Sequence, residues 1–116
     1  MINDKLRKME LFSLVEMYFK QRFPGASRSV DVRGTTRKWS FDFIVENEDG
    51  AKFGVVVKDW ARTLGVNQVR QLQKACQDVS LDGGVLISNR FSPSALQYGD
   101  RYGVSCFSKY DIMDKL

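Results

Sequence analysis

Asp42 and Lys58 are the side chains of this sequence most able to do chemistry together. Asp42 lies between two phenylalanines, and Lys58 ends the next apolar segment of the chain. A carboxylate among aromatic rings is costly to bury unless a cation or hydrogen-bond donors pair with it. The two residues therefore indicate either a structural ion pair or a functional site built from a carboxylate and a lysine.

The absence of histidine narrows the possible chemistry. None of the 116 residues is histidine, which excludes Ser-His-Asp and Cys-His nucleophiles, histidine-ligated metals and histidine general bases. Cys76 and Cys106 are far apart and form no Cys-x-x-Cys pair, so we expect neither a zinc site nor a disulfide framework. A reducing, cytoplasmic location suits such cysteines.

Positive charge is concentrated just before Asp42. Residues 20–38 carry a net charge of +5, whereas the whole chain carries +4. Basic side chains and glycine-containing loops provide the donors that phosphate contacts need, although such a run can also be a solvated surface. If DNA is the partner, we expect contacts from five basic residues: Arg33, Arg37, Lys38, Arg62 and Arg90.

The length fits one domain over residues 1–116, with roughly 65% of the unfolded surface buried on folding. No apolar run approaches the ~18 residues that a membrane span needs, and no signal peptide is expected.

The hydrophobic pattern predicts an α/β protein with a mixed central sheet flanked by helices, in the order α-β-β-β-α-β-α-β-α. The first helix, over residues 2–19, is apolar on most sides, so we expect cover from the sheet. A second subunit in a homodimer would supply further cover. Ser92 and Ser108 are expected to cap the last two helices. The predicted strands cover residues 29–33, 39–45, 52–58, 84–88 and 104–107, and the second long helix covers residues 66–79.

The turn at residues 47–50 decides which side chains share a face. A two-residue loop at Asp49-Gly50 would place Asp42 opposite Val57, facing away from Lys58. A three-residue loop with Gly50 in the left-handed conformation would place Asp42 opposite Val56, on the face of Lys58. The sequence permits both registers.

An aspartate, a hairpin and a lysine at the end of the next strand resemble the motif of the PD-(D/E)xK nuclease superfamily. Further features match its Mrr-type restriction endonuclease branch in order, over nearly the whole chain. These are Glu10, Asp42, Lys58, Gln68, the strand Gly84–Ser88, the segment Phe91-Ser-Pro-Ser-Ala95 and Asp111.

This resemblance implies a restriction endonuclease-like fold and a Mg²⁺-dependent phosphodiesterase acting on DNA. In such enzymes the aspartate and the acid two residues before the lysine hold the metal, with the backbone carbonyl between them as a further ligand. Here those positions correspond to Asp42, residue 56 and the carbonyl of Val57. The metal and Lys58 would position water and stabilise charge on the phosphate, with Gln68 also in the site.

The sequence departs from the motif at the acid position, because residue 56 is valine. Valine cannot ligate a hard cation, so the site would hold Mg²⁺ poorly. Glu10, Glu46 and Asp59 are possible replacements. Glu10 is the best candidate. Glu46 lies roughly 13 Å along the strand from Asp42, and strand alternation would direct Asp59, the residue after Lys58, to the opposite face.

Three functional hypotheses follow. The chain is a DNA-binding member of this superfamily with weak or lost cleavage, an active Mg²⁺-dependent endonuclease with a relocated acid, or a non-catalytic assembly module. The first is preferred, because Val56 removes a ligand while the basic segment remains.

Overall fold

A computed structural model describes residues 2–116, with side chains from residue 5 onward. None of the helices in this range is long and apolar enough to cross a membrane. The elements, in chain order, are α1 (Ile2–Lys8), α2 (Leu11–Arg22), β1 (Ser27–Arg33), β2 (Lys38–Glu46), β3 (Lys52–Lys58), α3 (Val66–Asp78), β4 (Gly83–Ser88), α4 (Pro93–Tyr102), β5 (Val104–Ser108) and α5 (Lys109–Lys115).

The five strands form one mixed sheet in the order β1-β2-β3-β4-β5, which confirms the predicted fold class. The β1–β2 and β2–β3 pairs are antiparallel, whereas α3 and α4 cross over between parallel strands. Lys58, Ser88 and Ser108 end the three parallel strands and lie side by side in register. The sheet thus has one edge where three strands finish together, which is where open α/β sheets commonly bind ligands.

Each face of the sheet has its own apolar core. On one face α1, α2 and α5 cover a cluster that includes Leu14, Phe43 and Val55. On the other face α3 and α4 cover a cluster that includes Phe41, Leu72 and Leu86. We call these the α2 face and the α3 face. Both clusters use residues from β2, β3 and β4, so the sheet separates the two cores.

The N-terminal helix differs from the prediction, because the chain breaks at Met9-Glu10 into α1 and α2. Leu6 and Leu11 are both buried in the α2-face core. In one continuous helix they would lie five residues and about 140° apart around the axis, too far for one apolar stripe. The break lets both leucines face the sheet, which explains why the apolar residues looked scattered on a single helical wheel.

The hairpin between β2 and β3 has the three-residue loop that the sequence permitted. Asn47 N–H donates to the carbonyl of Ala51, and Phe43 pairs with Val55. Gly50 has a φ of 84°, the left-handed conformation that glycine adopts without a steric penalty. The side-chain oxygen of Asn47 also accepts from the N–H groups of Asp49 and Ala51. The register that places Asp42 nearest Val56 is therefore the one formed.

The two serine caps are confirmed. Ser92 Oγ accepts from Ala95 N–H at 3.1 Å, and Pro93 occupies the first helical position of α4. At α5 the Asp111 carboxylate accepts from Ser108 N–H at 2.8 Å, while Ser108 Oγ accepts from Asp111 N–H at 3.2 Å. These caps determine where the chain turns after β4 and β5, at the edge that carries Lys58.

Candidate functional site

Asp42 lies where β2 and β3 separate. Ladder pairing between the strands runs from Glu46–Lys52 to Phe43–Val55 and stops there. Beyond it, Val57 N–H donates to Asp42 Oδ2 at 2.7 Å. A side-chain carboxylate has thus taken the donor that the next ladder bond would use, and it holds the two strands together at the fork.

The usual alternation of side chains fails at Asp42. Phe41 is buried in the α3-face core, but Phe43, two residues later, is buried in the α2-face core. In β1, Ser29 lies between the partners of these two residues and has a φ of 50°, which is uncommon for a residue other than glycine. β1 at Ser29 and β2 at Asp42 are therefore irregular at neighbouring positions of the sheet. Asp42 is half-buried rather than fully buried.

Lys58 and Gln68 line one cleft on the α3 face, about 250 Å³ in volume, which we call the Lys58 cleft. Val56 lies in its wall, and so do the basic residues Arg37 and Lys38. Asp42 does not line it, although strand alternation with the three-residue loop would place Asp42, Val56 and Lys58 on one face. The remaining lining residues, none of them acidic, are Trp39, Ser40, Phe41, Gln71, Leu72, Ala75 and Leu86.

The alternative of a structural ion pair between Asp42 and Lys58 is wrong. Within residues 5–116 the one ion pair formed is Arg28–Glu16. The ammonium of Lys58 lies 5.3 Å from the ring centroid of Trp60, and the Arg62 guanidinium lies 4.4 Å from that same centroid. Attraction between a cation and an aromatic face is worth about 0.5–1 kcal/mol at exposed sites, so Trp60 helps hold the cations of Lys58 and Arg62 in place.

Asp78, at the end of α3, holds the turn that carries Arg37 of the cleft wall and was not anticipated from the sequence. Its Oδ2 accepts from Trp39 Nε1–H at 2.7 Å and from Thr36 Oγ1–H at 3.0 Å, and Arg37 N–H donates to it at 3.4 Å. The Trp39 bond is the main cause that lowers the pKa of this carboxyl, and the Thr36 and Arg37 donors lower it further. The Arg37 guanidinium lies 4.1 Å from the centroid of the Trp39 ring.

Gly34 is required for the Asp78 contacts. A Cβ at this position would lie 2.2 Å from Asp78 Oδ2, so the carboxylate would have to move. Asp78 is more than forty positions from the turn that it holds, and no local pattern marks the pair. The signal that could have located it is the excess of N–H donors in the loop of residues 34–37, which need an acceptor.

The loops that follow β3 and β4 are tied to each other. Asn89 Nδ2–H donates to Asp59 Oδ1 at 2.9 Å and to the carbonyl of Trp60 at 2.8 Å. Arg90 Nη2–H donates to the carbonyl of Ala61 at 2.8 Å. The carboxylate of Asp59 is therefore already engaged, which weakens it as a replacement for the missing acid.

The acids present do not fit a Mg²⁺ site of the expected kind. Glu10 is the exposed N-cap of α2, on the α2 face, and its side chain makes no capping bond. Glu46 pairs with Lys52 at the far end of the hairpin. Among the side chains described, no three Asp, Glu, His or Cys residues come close enough to hold a metal ion. One carboxylate at the fork, beside Val57, offers too few hard oxygen ligands for Mg²⁺.

Arg33, which was also predicted to contact DNA, lies at the end of β1, where it is exposed and pairs with Lys38 of β2. The structure thus brings Arg37, Lys38, Lys58 and Gln68 together in one cleft. Arg62 does not line the cleft, but its guanidinium lies on the ring of Trp60, which the ammonium of Lys58 also approaches.

Comparisons with known proteins agree with this architecture. A family model described as a restriction endonuclease, Mrr_cat, matches residues 4–116. A search of curated proteins found no match. Among solved structures, the chain is similar to AF1548, a protein of unknown function (14% identity, TM-score 0.76), with 91% of the chain covered. It is also similar to the DNA modification-dependent restriction endonuclease AspBHI (17% identity, TM-score 0.59), with 92% of the chain covered. A third similar structure is a complex of EndoMS with dsDNA (18% identity, TM-score 0.55), with 80% of the chain covered.

The chain spans only part of each of these structures. It corresponds to 66% of AF1548, 30% of AspBHI and 41% of EndoMS. At identities below 20% the likeness establishes a common fold and leaves the activity open.

Proposed function

The chain belongs to the Mrr_cat restriction endonuclease family, within the PD-(D/E)xK superfamily, and from this membership we propose that it binds DNA and cleaves it weakly or not at all. The Lys58 cleft is the proposed contact surface. Lys58, Arg37 and Lys38 supply positive charge, and Gln68 and Gln71 supply amide groups. Arg62 shares the ring of Trp60 with Lys58.

The observation that carries this proposal is the composition of the cleft wall. Three cations line it without an acid, and Val56 stands where a metal-ligating acid would be needed. A cleft of this kind attracts phosphate directly, because no carboxylate competes for the cations and none is available to recruit a divalent ion. One structural relative, EndoMS, is seen with double-stranded DNA, which makes duplex DNA the reasonable first probe.

Binding is tested by fluorescence anisotropy with a labelled duplex at several salt concentrations. We expect affinity to fall steeply with salt, and the slope of log K against log salt to drop by about 0.9 for each phosphate contact removed. Lys58→Ala and Arg37→Ala should each flatten the slope. Lys52→Ala is the matched control, since Lys52 starts β3 and lies at the opposite edge of the sheet.

Cleavage is tested on supercoiled plasmid with Mg²⁺ or Mn²⁺, comparing the native chain with Val56→Glu. Cleavage only by the Val56→Glu variant would identify a site that has lost its acid, as proposed. Equal and strong cleavage by both proteins, abolished by Asp42→Asn, would instead establish an active endonuclease with a relocated acid such as Glu10.

No retention of DNA at low salt would overturn the proposal of DNA binding and leave an assembly module as the function.

A homodimer and a cytoplasmic location are also proposed. Phe12 on α2 remains 37% exposed, as a subunit interface would require, and Cys76 and Cys106 form no disulfide. Sedimentation as a monomer at micromolar concentration would count against the dimer.

A further inference from the structure

A second pocket lies at the edge where the parallel strands end, and it too is basic. Its volume is about 330 Å³. Arg7 comes from the end of α1, Arg90 follows β4, and Lys109 begins α5. The other lining residues, none of them acidic, are Asn89, Tyr110 and Met113.

Two of the three cationic groups of this pocket, those of Lys109 and Arg90, are held in place but not neutralised. Lys109 Nζ–H donates to the carbonyl of Arg7 at 2.9 Å, and Arg90 Nη2–H donates to the carbonyl of Ala61 at 2.8 Å. Each bond uses one donor, out of three on the ammonium and five on the guanidinium. In the part of the chain with described side chains, none of the three cations forms an ion pair. Three like charges in one pocket repel each other, and a bound anion would relieve this repulsion.

Two acids that adjoin the pocket residues are hydrogen-bonded to neutral donors. Asp59 accepts from Asn89, and Asp111 accepts from Ser108 N–H in the cap of α5. Neither lines the pocket. The remaining donors of Arg90 and Lys109 are therefore available to an external anion, and part of the cost of ordering these long side chains has already been met in folding.

The pocket is also related in space to the Lys58 cleft. Lys58, Ser88 and Ser108 end neighbouring strands in register, and Lys109 directly follows Ser108. Two strand spacings, about 10 Å in total, therefore separate the ends of β3 and β5. Arg7 and Met113 belong to the helices of the α2 face, so the pocket lies across this edge from the Lys58 cleft. A nucleotide of one strand advances ~3.4 Å along the axis of a duplex, so 10 Å corresponds to about three nucleotides of a duplex lying along this edge.

We propose that the pocket of Arg7, Arg90 and Lys109 is a second phosphate-binding site. It holds an internal phosphodiester of a nucleic-acid strand that runs along this edge from the Lys58 cleft. This part of the inference rests on the proposed DNA binding. The exposed ring of Tyr110 lies in the same pocket and offers a stacking surface for a neighbouring base.

The test compares Lys109→Gln and Arg7→Gln with Lys52→Gln, which removes the same charge at the opposite edge of the sheet. Arg7→Gln is included because its side chain is exposed and makes no described hydrogen bond, so folding should tolerate the change. The probe is a duplex with hydroxyl ends, which offers internal phosphodiesters alone. We expect both pocket variants to weaken binding at low salt and to reduce the salt slope by about 0.9, while Lys52→Gln leaves the slope unchanged.

Pocket variants that bind DNA as Lys52→Gln does would overturn the proposal. If the native chain binds no DNA, the proposed function fails but the pocket is still tested, by titrating inorganic phosphate and following the backbone amide signals of Asn89 and Tyr110 by NMR. Shifts that disappear in Lys109→Gln would support an anion site, and the absence of shifts in the native chain would refute it.

Discussion

Replacing Asp42 measures how much the carboxylate at the strand fork contributes to the fold. Its Oδ2 accepts from Val57 N–H at 2.7 Å, and both residues are half-buried. A hydrogen bond to a charged group contributes about 1.5–3 kcal/mol, and alanine would also leave the backbone donor unpaired. We therefore expect Asp42→Ala to lower the free energy of unfolding by about 1.5–3 kcal/mol.

Asp42→Asn separates the hydrogen bond from the charge. The asparagine side chain keeps a carbonyl oxygen that can accept from Val57 N–H, so the loss should be about 1 kcal/mol. Urea denaturation with an unchanged m value gives the difference directly. In a thermal scan, Asp42→Ala should melt about 6–12 °C below the native chain, taking about 4 °C for each kcal/mol in a domain of this size.

The reasoning would be refuted if Asp42→Ala were as stable as the native chain to within 0.5 kcal/mol. DNA affinity provides an independent control. Asp42 does not line the Lys58 cleft, so Asp42→Asn should bind DNA as the native chain does under conditions where both are folded.

Three further predictions concern the anchor of Arg37, the core and the buried thiol. Asp78→Ala should weaken DNA binding although it removes a negative charge, because it releases the turn that carries Arg37. Gly34→Ala changes no charge and should weaken binding for the same reason. Tighter binding by Asp78→Ala in anisotropy titrations would contradict this. Gly54→Ala should cost about 1–3 kcal/mol in urea denaturation, since its Cβ would lie 2.6 Å from a buried phenylalanine ring, whereas a methyl group added at Gly25 meets nothing within 4 Å. Burial raises the pKa of the Cys76 thiol from 9.0 to about 11. The free energy of unfolding should therefore be unaffected by this thiol below pH 9 and should fall by about 2–3 kcal/mol as the pH rises to 11. Cys76→Ala should remove this fall from unfolding curves measured across the pH range.

Much of the fold could be predicted from local patterns. The aromatic and β-branched residues of Lys52–Lys58 predicted β3 with its observed bounds, and Ser92 and Ser108 predicted helix starts through their capping chemistry. The family resemblance placed Lys58 and Gln68 in one site, and the structure brings both to one cleft. These features depend on residues close in sequence, or on a motif that keeps its order along the chain.

The break between α1 and α2 could not be predicted in this way. Residues 2–19 contain no glycine or proline that would mark a helix end. The reason for the break is the position of the sheet, which buries Leu6 and Leu11 together. Which loop the hairpin adopts was also undecided, because Asp49-Gly50 suits two turn types and the sequence does not distinguish them.

The sequence by itself determined the composition of the site: a carboxylate, a lysine, no histidine and a valine where an acid was expected. Only the tertiary structure decided how these groups are used. A change of face at Asp42 directs its carboxylate to Val57 N–H, and Lys58 instead faces Gln68 and the ring of Trp60. Strand alternation is a local rule, but the fork between two strands, and the gathering of Arg7 with Lys109 from opposite ends of the chain, arise from packing between elements distant in sequence.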